Sequence, residues 1–278
     1  MAHEKQVRYS SLVDAKLRAG LVTLDGGTVP VFNTRYEGDP KAGAVKIPVR
    51  DAETEVGTYD PVTGKALTVG NTTYITVTDF YDVAVNELID GYDAAAVPDD
   101  LVADRLDSAG YSGGLTLDKD AIATLEAEGT VLADTADLTD TTVYDAFVDA
   151  GTALTENNVP QQGRYAIVSP AVHGLLLKSD DFIKQSDLGQ QLVQQGYVGQ
   201  IAGFNIKVSN NTDPLTEFIA GHADWCHRVR EWVVEPYVQD LNGDSQFIGA
   251  SAVKGRWIYK HKVSKAAAVL VKTKTAGV

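Results

Sequence analysis

The sequence holds a single cysteine, Cys226, so no disulfide can form within the chain; this is the pattern of a reducing compartment. No stretch reaches the ~18 consecutive apolar residues of a membrane helix, and the opening Met1-Ala-His-Glu-Lys lacks a signal peptide's apolar core. Tandem repeats and low-complexity segments are missing too. So are the usual signatures of catalysis. Gly196, Gly199 and Gly203 lack both the Walker lysine and the G-x-G-x-x-G order, and read as turn residues. Ser169 has no Gly-x-Ser-x-Gly frame, and His173 has no carboxylate obviously placed to orient it. The pairs Asp99/Asp100 and Asp180/Asp181 are adjacent rather than facing, which suits acid–base chemistry poorly. The densest group of metal donors is His222, Asp224, Cys226 and His227. Zinc accepts all three residue types, but the spacing matches no usual finger and no second ligand pair exists elsewhere. The expectation is a protein that is no enzyme and carries no cofactor or metal. A metal-dependent hydrolase built on those four residues is the alternative from a different functional class.

What the sequence does carry is lopsided charge. Its 38 acidic and 24 basic residues give −14 overall. Residues 79 to 149 hold 18 acids and two bases, a local −16. Residues 251 to 278 hold seven bases and no acid: Lys254, Arg256, Lys260, Lys262, Lys265, Lys272 and Lys274. Such asymmetry indicates an oppositely charged partner, and another copy of the chain joined head to tail would serve. The simpler account is a solvated acidic face with a basic tail. The acidic total argues against a sequence-reading nucleic-acid binder, which needs a broad basic footprint. With 44 % hydrophobic residues the chain is not wholly disordered. Its 278 residues suit one large domain or two modest ones that fold without a disulfide or metal.

Residues 1 to 36 read as an arm. Asp14 to Ala19 suggests a short helix, but Gly20, Gly26 and Gly27 interrupt, and apolar residues are too few for a core. Residues 37 to 78 read as a long β-hairpin. Val45, Ile47 and Val49 alternate with Lys46, Pro48 and Arg50, Tyr74-Ile-Thr-Val-Thr returns, and Tyr59-Asp60-Pro61-Val-Thr-Gly64 makes the turn. Pro48 withholds a ladder donor, which places its strand at an edge. With little apolar mass of its own, the hairpin is expected to project and pack on something else.

Residues 98 to 128 read as a helix broken at Gly110, Gly113 and Gly114. Its second run places Leu117, Ala121, Ile122 and Leu125 on one face, with Asp118 and Asp120 near its start. Residues 139 to 156 read as a helix capped by Thr139, with Val143, Phe147, Ala150 and Leu154 as its apolar stripe. Arg164 to Val168 is a short buried strand, and Ser169-Pro170 supplies an N-cap and a first helical residue. Strands follow at Phe204 and from Phe218 onward, ending with Arg256-Trp-Ile-Tyr-Lys and Ala268-Val-Leu-Val. Helices and strands mix without regular βα alternation, so the class is α+β.

The run Leu154-Thr-Glu-Asn-Asn-Val-Pro160-Gln-Gln-Gly-Arg164-Tyr-Ala-Ile-Val-Ser169-Pro170 resembles a stretch common in major capsid proteins of tailed phages. These carry the Johnson fold, also called the Hong Kong 97-like fold. Leu175, Leu176 and Leu177, then Gly196-Tyr-Val-Gly199-Gln-Ile-Ala-Gly203-Phe204, Ser209-Asn210-Asn211 and Gly255-Arg-Trp-Ile-Tyr also look like this family and follow in its order. The strong match spans residues 154 to 211, with weaker agreement from about 28 to 92 and from 218 to 272.

The resemblance implies an α+β capsid fold divided into an N-terminal arm (1–36), an extended E-loop (37–78), a peripheral domain with a long spine helix (79–149), a mainly axial domain (150–245) and C-terminal strands returning to the peripheral domain (246–278). It implies a structural subunit that self-assembles into hexamers and pentamers of an icosahedral shell around double-stranded phage DNA, contacted without sequence specificity. The shell would belong to a virion assembled in the bacterial host cytoplasm. A portal and a separate scaffolding protein are implied partners, decoration proteins are further ones, and no membrane is involved. The separate scaffold is expected because the short N-terminus leaves no room for a large cleavable scaffolding segment. An encapsulin, a bacterial compartment shell of the same fold, is the alternative. Subunit contacts are expected at Val45, Ile47, Val49, Tyr59 and Asp60 of the hairpin. They are also expected where Lys254, Arg256, Lys260, Lys262 and Lys265 face carboxylates.

Overall fold

A computed structural model describes residues 18–24, 29–36, 43–50, 53–67, 72–96, 101–179, 199–243 and 246–275. Most of the helix expected over Asp14 to Ala19 lies outside them, as do Pro98, Asp99, Asp100 and Gly196. In chain order the elements begin with β1 (Val45–Val49), β2 (Thr73–Val77), β3 (Tyr81–Ile89), α1 (Gly91–Ala96), α2 (Leu101–Glu128), β4 (Thr130–Val131) and α3 (Val143–Glu156). They continue with β5 (Arg164–Val168), α4 (Pro170–Lys178), β6 (Gln200–Ile201), β7 (Phe204–Val208), β8 (Thr216–His222), β9 (Cys226–Asp240), β10 (Ser251–Val263) and β11 (Val269–Thr273).

Among the described residues these strands form three sheets: β1-β2, β3-β10-β9 and β4-β11-β8-β5-β7-β6. The last is mixed, with β5 parallel to β7 and β11 parallel to β4. Its central strands are covered on both faces, which is why they read as continuous apolar runs. Ala166, Val168, Phe218, Ala220 and Leu270 pack under α3 and α4. Tyr165, Ile167, Ile219, Val269 and Val271 face Ala121, Ile122 and Leu125 of α2 on the other side. Val143, Phe147, Ala150 and Leu154 of α3 are fully buried, as their spacing predicts. Ser169 caps α4 by accepting the Val172 N–H at 3.4 Å, with Pro170 as first helical residue.

Several expectations need correction. The helix expected to break at Gly110, Gly113 and Gly114 is continuous from Leu101 to Glu128. Two of these glycines provide room for close packing: a Cβ at Gly113 would lie 2.5 Å from the Trp257 ring, and one at Gly114 would lie 2.8 Å from Leu21. Thr139 does not cap α3. It opens the turn before the helix, where its carbonyl accepts the N–H groups of Thr142 and Val143 and its hydroxyl meets those of Thr141 and Thr142. The segment read as an arm is built into the body between residues 29 and 36. Val29, Val31 and Phe32 join the α2 core, while the Asn33 N–H and carbonyl bond Cys226 and Arg228 at 2.8 and 2.9 Å. Across residues 245/246, β9 pairs with β10, and β11 pairs with β8.

The hairpin forms in register, with Val45 opposite Val77 and Val49 opposite Thr73. Its root is covered within this chain. Ile47 and Val49 are 1 % and 7 % exposed within this chain, and Val45 is half-buried. Their root is held by Lys265, whose Nζ donates to the Arg50 carbonyl at 2.7 Å. The far end is different: Val56, Val62 and Leu67 are 91–100 % exposed and Tyr59 is 70 % exposed. Asp60 sets the turn there, accepting the Val62 and Thr63 N–H groups at 2.7 and 3.1 Å, and Gly64 takes φ +71°.

The glycines of α2 give opposite predictions. Gly113→Ala is expected to destabilise the protein by about 1–3 kcal/mol through overpacking against Trp257. Gly110→Ala, with nothing within 4 Å of its added Cβ, is expected to stabilise it by roughly 0.5–1 kcal/mol through helix propensity. Urea unfolding of both variants checks the pair; equal effects would refute the packing account.

Candidate functional site

A buried chain of polar groups begins at Asp118, in the middle of the apolar face of α2. One Asp118 oxygen accepts the Thr23 N–H at 2.8 Å and the Thr23 hydroxyl at 2.7 Å. The other accepts Asn211 Nδ2 at 2.7 Å. Arg228, itself buried, donates through Nη2 to the Thr23 carbonyl and hydroxyl and through Nε to His261 Nε2 at 3.0 Å. Burial lowers the Arg228 pKa to about 10, with Arg230 adding to the shift and Asp118 opposing it. Nearby, Tyr259 donates its hydroxyl to Asp120, and burial together with this bond raises its pKa. The sequence reading takes Asp118 for a helix-start charge. The missed signal is its position, three and four residues before Ala121 and Ile122 on the same stripe.

The four potential metal donors go separate ways. His222 Nε2 bonds the Gln162 carbonyl at 2.9 Å, and its Nδ1 accepts the Asp224 N–H at 3.2 Å. The Asp224 carboxylate bonds Arg35 at 2.6 Å. Cys226 is buried against the Tyr165 hydroxyl at 3.3 Å, and burial pushes its thiol up to about 12. His227 lies between Asn33 Oδ1 and Ser264 Oγ, both at 3.0 Å. Among the described residues no group of three or more such donors could hold a metal ion. Ser169 is used as a cap, and no helix there is long and apolar enough to cross a membrane.

The charged segments meet within one chain. β3 pairs with β10, so Arg256 forms a two-pronged contact with Asp82, Nε to Oδ1 at 2.7 Å. α2 lies on β10, and Lys262 Nζ reaches Glu128 Oε1 at 2.6 Å. β4 pairs with β11, and buried Lys272 donates to the Asp134 carbonyl and carboxylate at 2.7 and 2.8 Å. Of the five basic residues singled out from sequence, Arg256 and Lys262 thus meet carboxylates of their own chain. Lys260 Nζ stands 4.0 Å from the Tyr81 ring centroid, Lys265 holds the hairpin root, and Lys254 stands opposite Asn86 and Tyr237.

Two buried histidines make stability depend on pH. Burial lowers His261 to about 3, with Arg228, Arg230 and Lys260 adding to the shift. Burial also lowers His227 to about 4, with Arg35 adding to it and Asp224 opposing it. In the unfolded chain both protonate near ~6.5. The unfolded state therefore binds more protons below that pH, and stability rises with pH there. It should be complete above about 6.5 and fall as pH drops toward about 4 and then 3. Urea midpoints between pH 7.5 and 5 are expected to decline, and less steeply for the double variant His227→Gln/His261→Gln. An unchanged slope in that variant would assign the effect elsewhere.

The family model described as phage capsid protein matches residues 92–271. Among the curated proteins none matches. Solved structures do. One titled Mycobacterium phage Che8 has a TM-score of 0.79 at 22 % identity and covers 98 % of each chain. The capsid structure of the cyanophage P-SCSP1u has a TM-score of 0.82 at 12 % identity, covering 98 % of this chain and 93 % of that one. The mature capsid of bacteriophage PhiM1 has a TM-score of 0.70 at 14 % identity, covering 99 % and 92 %. At these identities the likeness establishes the fold, which is the Hong Kong 97-like fold.

Proposed function

The chain belongs to the phage capsid protein family, and on that premise we propose that it self-assembles into the hexamers and pentamers of an icosahedral shell enclosing double-stranded DNA. The observation that carries this reading is the far end of the hairpin. Val56, Tyr59, Val62 and Leu67 are held out from a body whose core is already closed. Apolar area gains about 25 cal/mol per Å² only when a second surface removes it from water. A neighbouring copy supplies that surface, and a contact between different patches on identical copies closes into rings and shells. The root residues Val45, Ile47 and Val49 then set the hairpin's direction, while Tyr59 and Asp60 lie in the part that reaches the neighbour.

In this reading α2 is the spine, and with β3, β9 and β10 it forms the peripheral domain. The sheet flanked by α3 and α4 forms the axial domain. Net charge of −14 suits a wall along which DNA is held without sequence-specific contacts. Assembly takes place in the bacterial cytoplasm, with a portal and a separate scaffolding protein as partners. The encapsulin alternative shares the fold and differs in contents.

Electron microscopy of the purified protein is expected to show closed particles. The triple variant Val56→Ser/Val62→Ser/Leu67→Ser should lose them while the subunit keeps its unfolding midpoint. Particles formed equally well by the variant would defeat the role given to the hairpin, and particles filled with enzyme would favour an encapsulin. Light scattering of assembling subunits should also slow as salt approaches ~1 M, where the Debye length is about 3 Å. Charge reversal at Lys260 should slow assembly in the same way; indifference to both treatments would mean that the charge asymmetry is only a solvated surface.

A further inference from the structure

Among the described residues β3 and β9 are the edges of the three-stranded sheet. The two edges differ. β9 carries Pro236, and its register against β10 shifts twice. Prolines and bulges guard an edge against further pairing. β3 has neither. It runs for nine residues, Tyr81–Ile89, without proline, glycine or lysine, and pairs with β10 without a shift. Its charges are already paired within the chain, Asp82 with Arg256 and Glu87 with Arg105 at 3.4 Å. Among the described residues no backbone group of β3 is bonded on the side away from β10. The edges of the six-stranded sheet, β4 and β6, are only two residues each.

The hairpin holds a segment that lacks a partner of this kind. The β1–β2 ladder stops at Val49 opposite Thr73. Beyond it, residues 53–59 are exposed and belong to no ladder. Of their backbone groups, the Glu55 carbonyl accepts Lys65 Nζ, and among the described residues the others are unbonded. With a period of two, Thr54, Val56 and Thr58 fall on one face of an extended segment, and Glu53, Glu55 and Tyr59 on the other. The β-branched trio suits a strand. β3 offers a surface to each face. On the side of α2, Val83 and Val85 are half-buried against Leu117, Trp257 and Tyr259. On the other side Ala84 and Asn86 are exposed and stand opposite Arg256 and Lys254 of β10.

We propose that residues 53–59 of a second copy add to β3 as a fourth strand, with Val56 beside Val83 and Val85 and with Glu53 and Glu55 on the face of Lys254 and Arg256. The proposal rests on the shell reading, in which the far end of the hairpin reaches a neighbour. Main-chain hydrogen bonds along the open edge supply the attraction. The alternation of apolar and acidic residues sets the register, because a slip of one residue would bring Glu55 against the valines. Charge complementarity favours this occupant, since its glutamates meet bases. The competing occupant is β3 of a second copy, which would bring Asp82 and Glu87 of both copies together.

The test combines electron cryomicroscopy of the assembled particle with two variants. Residues 53–59 are expected in a ladder with a neighbour's β3. Successive N–H groups of a strand point to opposite edges, and proline has none, so of Gly57→Pro and Thr58→Pro only one removes a bond to β3. Neither N–H is bonded in the free subunit, so both variants should keep the wild-type unfolding midpoint. One of them should slow assembly about tenfold, the loss of one backbone bond, and the other should assemble near the wild-type rate. Closed particles in which residues 53–59 lie away from β3, or in which two β3 edges pair, would overturn strand addition and leave the shell reading standing. So would equal slowing by both variants, or by neither. No particles at all would overturn both.

Discussion

A carboxylate buried on the apolar face of a long helix is the constraint around which the rest of this structure is arranged. Asp118 is fully buried, and an unpaired charge there would cost about 3–5 kcal/mol. Its partners come from three separate parts of the chain: Thr23 near the N-terminus, Asn211 after β7, and Arg228 of β9, which reaches the group through Thr23. Satisfying one carboxylate therefore fixes the N-terminal segment, the helix and both sheets relative to one another. Asp118 also marks a changeover along α2. Before it, Ala109 and Leu117 pack with Val253, Trp257 and Tyr259 of the three-stranded sheet. After it, Ala121, Ile122 and Leu125 pack on the six-stranded sheet. One helix thus joins two cores, and the polar chain fixes the point at which it passes from one to the other.

Arg164 plays a similar part at the start of β5. It is buried, and its guanidinium donates to the carbonyls of Gly151, Val159 and Pro160 and to the Thr155 hydroxyl. Helices leave their last carbonyls unsatisfied, and here one fixed fork of donors gathers the end of α3 and the turn that follows. Gly163 beside it holds φ +82°, with His222 Nε2 only 3.2 Å from where a Cβ would stand. The glycine–arginine pair that draws attention in the sequence is thus a turn and a clamp within the chain.

These particulars explain what was legible in the sequence. The stripe of α3, the buried strand after it and the Ser169-Pro170 start of α4 depend on neighbours a few residues away, so local periodicity and capping chemistry suffice. Gly113 was misread because its reason lies 144 positions further along, in Trp257. A glycine that weakens an isolated helix is required when an indole presses on the backbone. Ile47 and Val49 were read as residues of a hairpin that packs on something else because it lacks apolar mass, and part of that cover comes from what the rest of the chain brings to its root. Asp118 was passed over because first-turn acids are common, and its burial follows from partners at residues 23, 211 and 228 that no local window contains.

The distribution of charge has the same long-range logic. An acidic stretch and a basic C-terminal stretch look like two unmatched surfaces when read along the chain. The fold brings them together at three places, Arg256 with Asp82, Lys262 with Glu128, and Lys272 with Asp134. The first pair is exposed, and such pairs contribute only about 0.2–1 kcal/mol, so pairing across β3, β10 and α2 follows from the packing of Trp257 and Tyr259 more than it drives it. Seven bases cannot neutralise 18 acids, and the surplus is negative. That surplus leaves carboxylates available to a neighbour's bases, and shape and apolar area, which the hairpin's exposed end offers, add to the attraction between copies.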